Sequence, residues 1–172
     1  MSCVFGSRPR LAAVLLAGAL LCTGGASAQE VTAYESFEGG TPPNWVVGRT
    51  GALSASGLHY KHGVQSLRWD YVGGESLEVS DVGLGDITRT GGYGGSYSKA
   101  TFGVWVYCEE PVEGSLRWEF RSGERPDAWF DFPLNFTGWR RAHLKESYQS
   151  EFQGRVTPTT DSIVITAPAD VA

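Results

Sequence analysis

The sequence predicts an all-β domain, a sandwich or barrel of antiparallel strands, and three observations carry that prediction. Short apolar runs with two-residue alternation follow one another from Val31 onward, and Gly, Pro, Asn and Asp punctuate them at the spacing of strands and turns. No segment after the first 28 residues carries the 3.6-residue periodicity of an amphipathic helix, and 23 glycines argue against a helical bundle. Six Trp, seven Tyr and eight Phe supply the apolar surface that a disordered chain lacks.

The first 28 residues read as a secretory leader. Arg8 and Arg10 form a basic start, Leu11 to Cys22 is an apolar run, and Ala26-Ser27-Ala28 supplies the small residues of a cleavage site before Gln29. The run is too short for a comfortable membrane span. The expectation is a signal peptide over 1–28, one domain over 29–172, and a secreted or periplasmic protein. Cleavage leaves Cys108 as the single cysteine, so no intramolecular disulfide is expected.

Ten strands are expected over Tyr34–Glu38, Trp45–Val47, Leu53–Leu58, Gln65–Val72, Ser76–Val82, Ala100–Cys108, Gly114–Arg121, Ala128–Leu134, Trp139–Lys145 and Asp161–Thr166. A helical turn is expected near Glu146–Phe152. Leu67, Trp69 and Tyr71 share one strand face, and so do Leu116, Trp118 and Phe120. Ala142 and Leu144 oppose Arg141, His143 and Lys145, with Trp139 on the basic side. The run to Cys108 is apolar on both faces, which fits a strand buried twice or one whose Trp105 and Tyr107 face a ligand groove. Gly83 to Ser98, with six glycines, Tyr93 and Tyr97, reads as a long loop, solvated or folded over a sheet.

Charge narrows the partners. The chain holds 14 bases and 19 acids; the leader takes two of the bases, leaving a balance of −7. Such a domain has no bulk attraction for nucleic acid or an anionic membrane, and neither is expected as a partner. His59 and His62 stand in a Gly/Lys turn without the helix of a zinc hydrolase, and no Gly-x-Ser-x-Gly elbow or phosphate loop is present. What remains is a row of tryptophans with a few bases. Sugar rings pack on aromatic faces, and sulfates or carboxylates pair with Arg and Lys. The candidate polysaccharide-binding residues are therefore Arg117, Arg121, Trp129, Trp139, Arg141, His143, Lys145, Trp105 and Tyr107. The plainer alternative makes the tryptophans core and the bases solvated.

Three stretches resemble the N-terminal domain of chondroitin ABC lyases. They are Glu35-Ser36-Phe37-Glu38 with Trp45 and Leu58 to Trp69, then Phe102 to Tyr107 with Pro111 to Phe120, and, most specific, Trp129 to Arg140. The resemblance runs from Tyr34 to Pro168. It implies a two-sheet antiparallel jelly-roll sandwich of the galactose-binding-like kind that helps engage chondroitin or dermatan sulfate. Catalysis in those lyases belongs to a separate α-helical domain using His, Tyr, Arg and Glu, so this chain alone is expected to bind rather than cleave. Related jelly rolls hold a structural calcium, and the matching positions here are Glu38 and Asp161, with carbonyls of the Lys61–Gly63 turn completing the shell. Two other readings stand beside binding: a docking domain packed on a lyase catalytic domain, or a minimal lyase using His143 and Arg141.

Overall fold

The computed structural model describes residues 35–61, 63–82, 101–145, 153–157 and 159–169, and 2–6; residues 2–6, 101–102 and 143–145 are described by backbone alone. Among the described residues eleven strands are formed: β1 (Ser2–Gly6), β2 (Trp45–Val47), β3 (Ala52–Ser56), β4 (Ser66–Asp70), β5 (Ser76–Val79), β6 (Thr101–Cys108), β7 (Ser115–Ser122), β8 (Arg125–Pro133), β9 (Gly138–Lys145), β10 (Gln153–Gly154) and β11 (Ser162–Thr166). They make a five-stranded sheet in the order β3-β4-β1-β6-β9 and a six-stranded sheet in the order β10-β8-β7-β11-β5-β2. Every pairing is antiparallel. The all-β antiparallel sandwich expected from the sequence is what the chain forms.

Alternation decides what each sheet buries. Leu67, Trp69, Val106 and Ala142 from the five-stranded sheet meet Leu77, Val79, Leu116, Trp118, Phe120, Phe130, Phe132 and Ile165 from the other in one apolar cluster. Trp118 stands opposite Phe130 in the β7–β8 register, and their rings stack at 5.9 Å. Each large ring here removes on the order of 150–250 Å² of surface from water, so a few such pairs dominate the core. Cys108 is buried, as its place at the end of an apolar strand suggested.

The structure departs from the expected strand list in the first 38 residues. Glu35–Glu38 is not a strand. Glu35 Oε1 accepts from the amides of Ser36 and Phe37 at 2.8 Å each, and Phe37 takes a positive φ of 62°. A side-chain carboxylate that binds its own neighbours' amides competes with a sheet ladder and makes a turn. Phe37 still reaches the core, edge-on to Trp45 at 5.2 Å. Ser2–Gly6, inside the expected leader, forms a strand in the middle of a sheet. The expected turn near Glu146–Phe152 and the glycine-rich Gly83–Ser98 lie outside the described residues.

Candidate functional site

The two sheets divide the sequence-derived site residues into two groups on opposite faces of the sandwich. Trp105, Tyr107, Trp139, Arg141, His143 and Lys145 belong to the paired strands β6 and β9, where Trp105 stands opposite Arg141, Tyr107 opposite Trp139, Gly103 opposite His143 and Thr101 opposite Lys145. Val106 and Ala142, one position away, are buried in the core, so Trp105, Tyr107, Trp139 and Arg141 face outward. The Tyr107 and Trp139 rings meet edge to face at 5.3 Å.

A turn that the sequence did not assign to the polysaccharide-binding residues reaches onto this face. Residues 57–65 join β3 to β4. Buried Ser66 anchors the turn, its hydroxyl donating to the carbonyls of Ser56 (3.2 Å) and His59. Glu38 Oε1 holds the other limb by accepting from the amides of Val64 (3.0 Å) and Gln65 (3.2 Å). Gly63, at φ 69°, leaves room for that carboxylate, which any Cβ there would strike. So braced, the turn lays His59 flat on Tyr107 with ring centroids 4.0 Å apart, and sets Lys61 Nζ 4.4 Å over the Trp105 ring. His59 and Lys61 thus join the face. Strand periodicity could not reveal them because they lie between strands.

Arg141 is exposed and lies across Gly103, where a side chain would collide with its guanidinium. Among the described residues no carboxylate pairs with it. Arg68, on the same sheet, is different: Asp70 neutralises it at 2.9 Å. Among the described side chains, the uncompensated positive charge of this face is therefore Arg141 with Lys61.

On the opposite face Arg117, Arg121 and Trp129 form a closed set. Arg117 makes two 2.9 Å hydrogen bonds to Asp131 while its guanidinium covers the Trp129 ring at 4.2 Å. The bond to Asp131 holds the Arg117 proton even more tightly than usual. Arg121 is paired with Glu119 at 2.5 Å. A single groove joining Arg117 and Arg121 to Arg141 and Lys145 is not formed. Alternation told which side of a strand each residue takes, but not which sheet owns the strand.

Glu38 and Asp161, expected as calcium ligands, cap separate turns. Glu38 binds the 63–65 limb, and Asp161 Oδ1 accepts from the Gly123 amide at 3.4 Å. Among the described residues no group of three or more His, Cys, Asp or Glu side chains is placed to hold a metal. The expected shell also takes carbonyls of the Lys61–Gly63 turn, of which His62 lies outside the described residues.

Two further carboxylates serve the fold. Burial would push the Glu75 carboxyl up, but amides of Gly51, Thr50, Val72 and Arg49 hold it below its ordinary value. Asp127 is likewise opposed by burial and held low by hydroxyls of Ser122, Thr160 and Thr157.

The family model described as lyase, N terminal, matches residues 32–172. A chondroitin sulfate ABC exolyase of Bacteroides thetaiotaomicron is 33% identical over 151 residues, which is 86% of this chain and 14% of that protein. A chondroitin sulfate ABC exolyase of Proteus vulgaris is 33% identical over 133 residues, 77% of this chain and 12% of its own. A chondroitin sulfate ABC endolyase of Proteus vulgaris is 34% identical over 84 residues, 45% of this chain and 8% of its own. The chain spans about one-seventh of the first of these relatives.

Proposed function

This chain belongs to the family of lyase N-terminal domains, and from that premise we propose that it binds an anionic polysaccharide of the chondroitin or dermatan sulfate class, without cleaving it, on the outer face of the five-stranded sheet. One observation carries the reading: Arg141, exposed and without a carboxylate partner among the described residues, stands beside the Trp105–Tyr107–Trp139 row with Lys61 at its edge. Aromatic rings and cations on one surface match a ligand of flat sugar faces and anionic groups. The excess of acids elsewhere confines attraction to this face, so affinity is modest and falls with salt, because charges separated by more than ~8 Å are screened at physiological ionic strength. The leader reading places this action outside the cytoplasm. His143 and Arg141 occupy one sheet, but this reading asks of them only binding.

Titration calorimetry with chondroitin sulfate at low and high salt tests it. Arg141→Ala is expected to weaken binding several-fold at low salt and to reduce the salt dependence, while Arg117→Ala leaves both unchanged. Equal loss in the two variants, or no binding at low salt, overturns the proposal.

A second reading has its own observation. Leu58, Tyr60 and Val64 are 75%, 48% and 62% exposed on the turn that carries His59 and Lys61. An apolar cluster at the rim of a polar face suits docking against a lyase catalytic domain. Leu58→Ser with Val64→Ser would then abolish association with such a domain and leave polysaccharide binding intact.

A further inference from the structure

Gly103 lies inside β6 on the outward face, opposite His143 of β9 and two residues before Trp105. Nothing in its backbone calls for glycine, because it does not take a positive φ. Glycine inside a strand weakens it, having more conformational freedom to lose and no side chain to pack. What a side chain would meet there is specific. A Cβ would lie 2.7 Å from Arg141 Nη2, 3.1 Å from Nε and 3.3 Å from Cζ, and these are its nearest neighbours. Both nitrogens are nearer than the carbon that joins them, so the guanidinium meets the gap edge-on. Its Nε–Nη2 edge fills the space that a Cβ would take, and Nη1 is directed away from the strand.

The gap also decides what stands around the cation. Arg141 is in register with Trp105, and Lys61 Nζ lies 4.4 Å over that ring, so one aromatic ring has two cations at its borders. His59 covers Tyr107 with centroids 4.0 Å apart. Two rings of the row are therefore already faced by the 57–65 turn. Trp139 is half-buried and meets Tyr107 edge to face at 5.3 Å.

We propose that Gly103 is a positioning residue: it leaves the seat that holds the Arg141 guanidinium beside Trp105, so that Arg141 and Lys61 form one subsite for an oxyanion, a sulfate ester or a carboxylate, while the sugar ring stacks on Trp139. This rests on the polysaccharide reading above and assigns parts of the face to parts of the ligand. An arginine free to rotate on a strand surface must be ordered when it binds, which costs affinity. A guanidinium seated beforehand loses less, and its outward end, Nη1 with Nη2, can give an oxyanion two charge-assisted hydrogen bonds.

A Cβ at position 103 displaces the guanidinium and nothing else close by. The colliding atoms are the far end of a flexible side chain, so the strand is not strained and gains backbone order. Positioning and a merely structural role therefore predict opposite signs for stability.

Titration calorimetry with chondroitin sulfate over a range of salt concentrations compares the unaltered chain, Gly103→Ala, Arg141→Ala and the double variant, with thermal unfolding of each. Gly103→Ala is expected to weaken binding several-fold, to make it less sensitive to salt, and to keep or raise the melting temperature. Added to Arg141→Ala it should change nothing further, because two substitutions acting through one contact are not additive. Trp139→Ala should weaken binding with the salt sensitivity kept. Chemically desulfated chondroitin identifies the anion: the effect of Gly103→Ala persists if the subsite holds the carboxylate and vanishes if it holds the sulfate. Unchanged binding by Gly103→Ala, a lowered melting temperature, or an equal further loss on the Arg141→Ala background overturns the inference and leaves the polysaccharide reading standing. No binding by the unaltered chain at low salt overturns both.

Discussion

Glu75 is 4% exposed, and its carboxylate accepts from the amides of Gly51 (2.6 Å), Thr50 (2.7 Å) and Val72 (3.3 Å). A buried charge is stable only when so satisfied. Glu75→Gln keeps the shape but removes the charge and turns one acceptor into a donor facing amides. It should cost about 1.5–3 kcal/mol, the scale of hydrogen bonds to a charged group, read by urea unfolding. The same residue governs acid sensitivity. Its folded pKa and that of Asp127 are lowered, so the unfolded chain binds protons first as pH falls. Their stabilisation is complete above the ordinary carboxylate range and is lost as pH falls through the lowered folded values. Urea midpoints should decline across that acid window, and Glu75→Gln or Asp127→Asn should flatten the decline. None of this was visible in the sequence, where Glu75 stands among glycines and polar residues like any solvated turn acid. Apart from Val72, its partners come from residues 49–51, some 25 positions away, and no local pattern encodes them.

The β7–β8 hairpin shows how an element makes its own fastenings. Ser122 pairs with Arg125 across a turn in which Gly123 takes φ 60°. Between Phe120 opposite Ala128 and Arg121 opposite Pro126, Asp127 is left without a partner, a β-bulge. The bulge aims Asp127 at the hydroxyls of Ser122 (2.5 Å), Thr160 (2.7 Å) and Thr157 (3.2 Å). The segment leading into β11 is thereby tied to the hairpin, and β10 lies alongside, with Gly154 at φ 77° against the Asp127 carbonyl. Gly154→Ala faces both an unfavourable φ and a backbone collision, and should cost about 1–3 kcal/mol, seen as a lower melting temperature. At this scale the sequence spoke clearly for the long strands. Runs such as Leu116-Arg117-Trp118 alternate because one face is core, and nine of the ten expected strands lie within a few residues of those formed. It failed at Glu35–Glu38, where a carboxylate outbid the ladder, and at Gln153–Gly154, too short for any period. The missing tenth strand, Tyr34–Glu38, carries Phe37 and Trp45 into contact by a turn instead.

Across the whole molecule, the two groups of candidate residues differ in how their charges are met. Arg117 and Arg121 are neutralised by Asp131 and Glu119 on the six-stranded side, whereas Arg141 and Lys61 stay available on the five-stranded side. The candidate residues were legible one by one, because aromatic and basic residues shared strand faces; their assembly was not, because sheet membership depends on non-local pairing. Trp139→Ala should reduce polysaccharide affinity several-fold while barely shifting the melting temperature, since the ring is half-buried outside the core. Trp118→Ala, deep between the sheets, should cost about 3–5 kcal/mol. The segregation of charge also sets valency. On the proposed function the domain has one adhesive side, which can decorate a long polyanion but cannot bridge two of them. Mixed with chondroitin sulfate at any ratio, the domain should leave the solution clear, and restoring charge to the back by Asp131→Asn with Glu119→Gln should turn it cloudy.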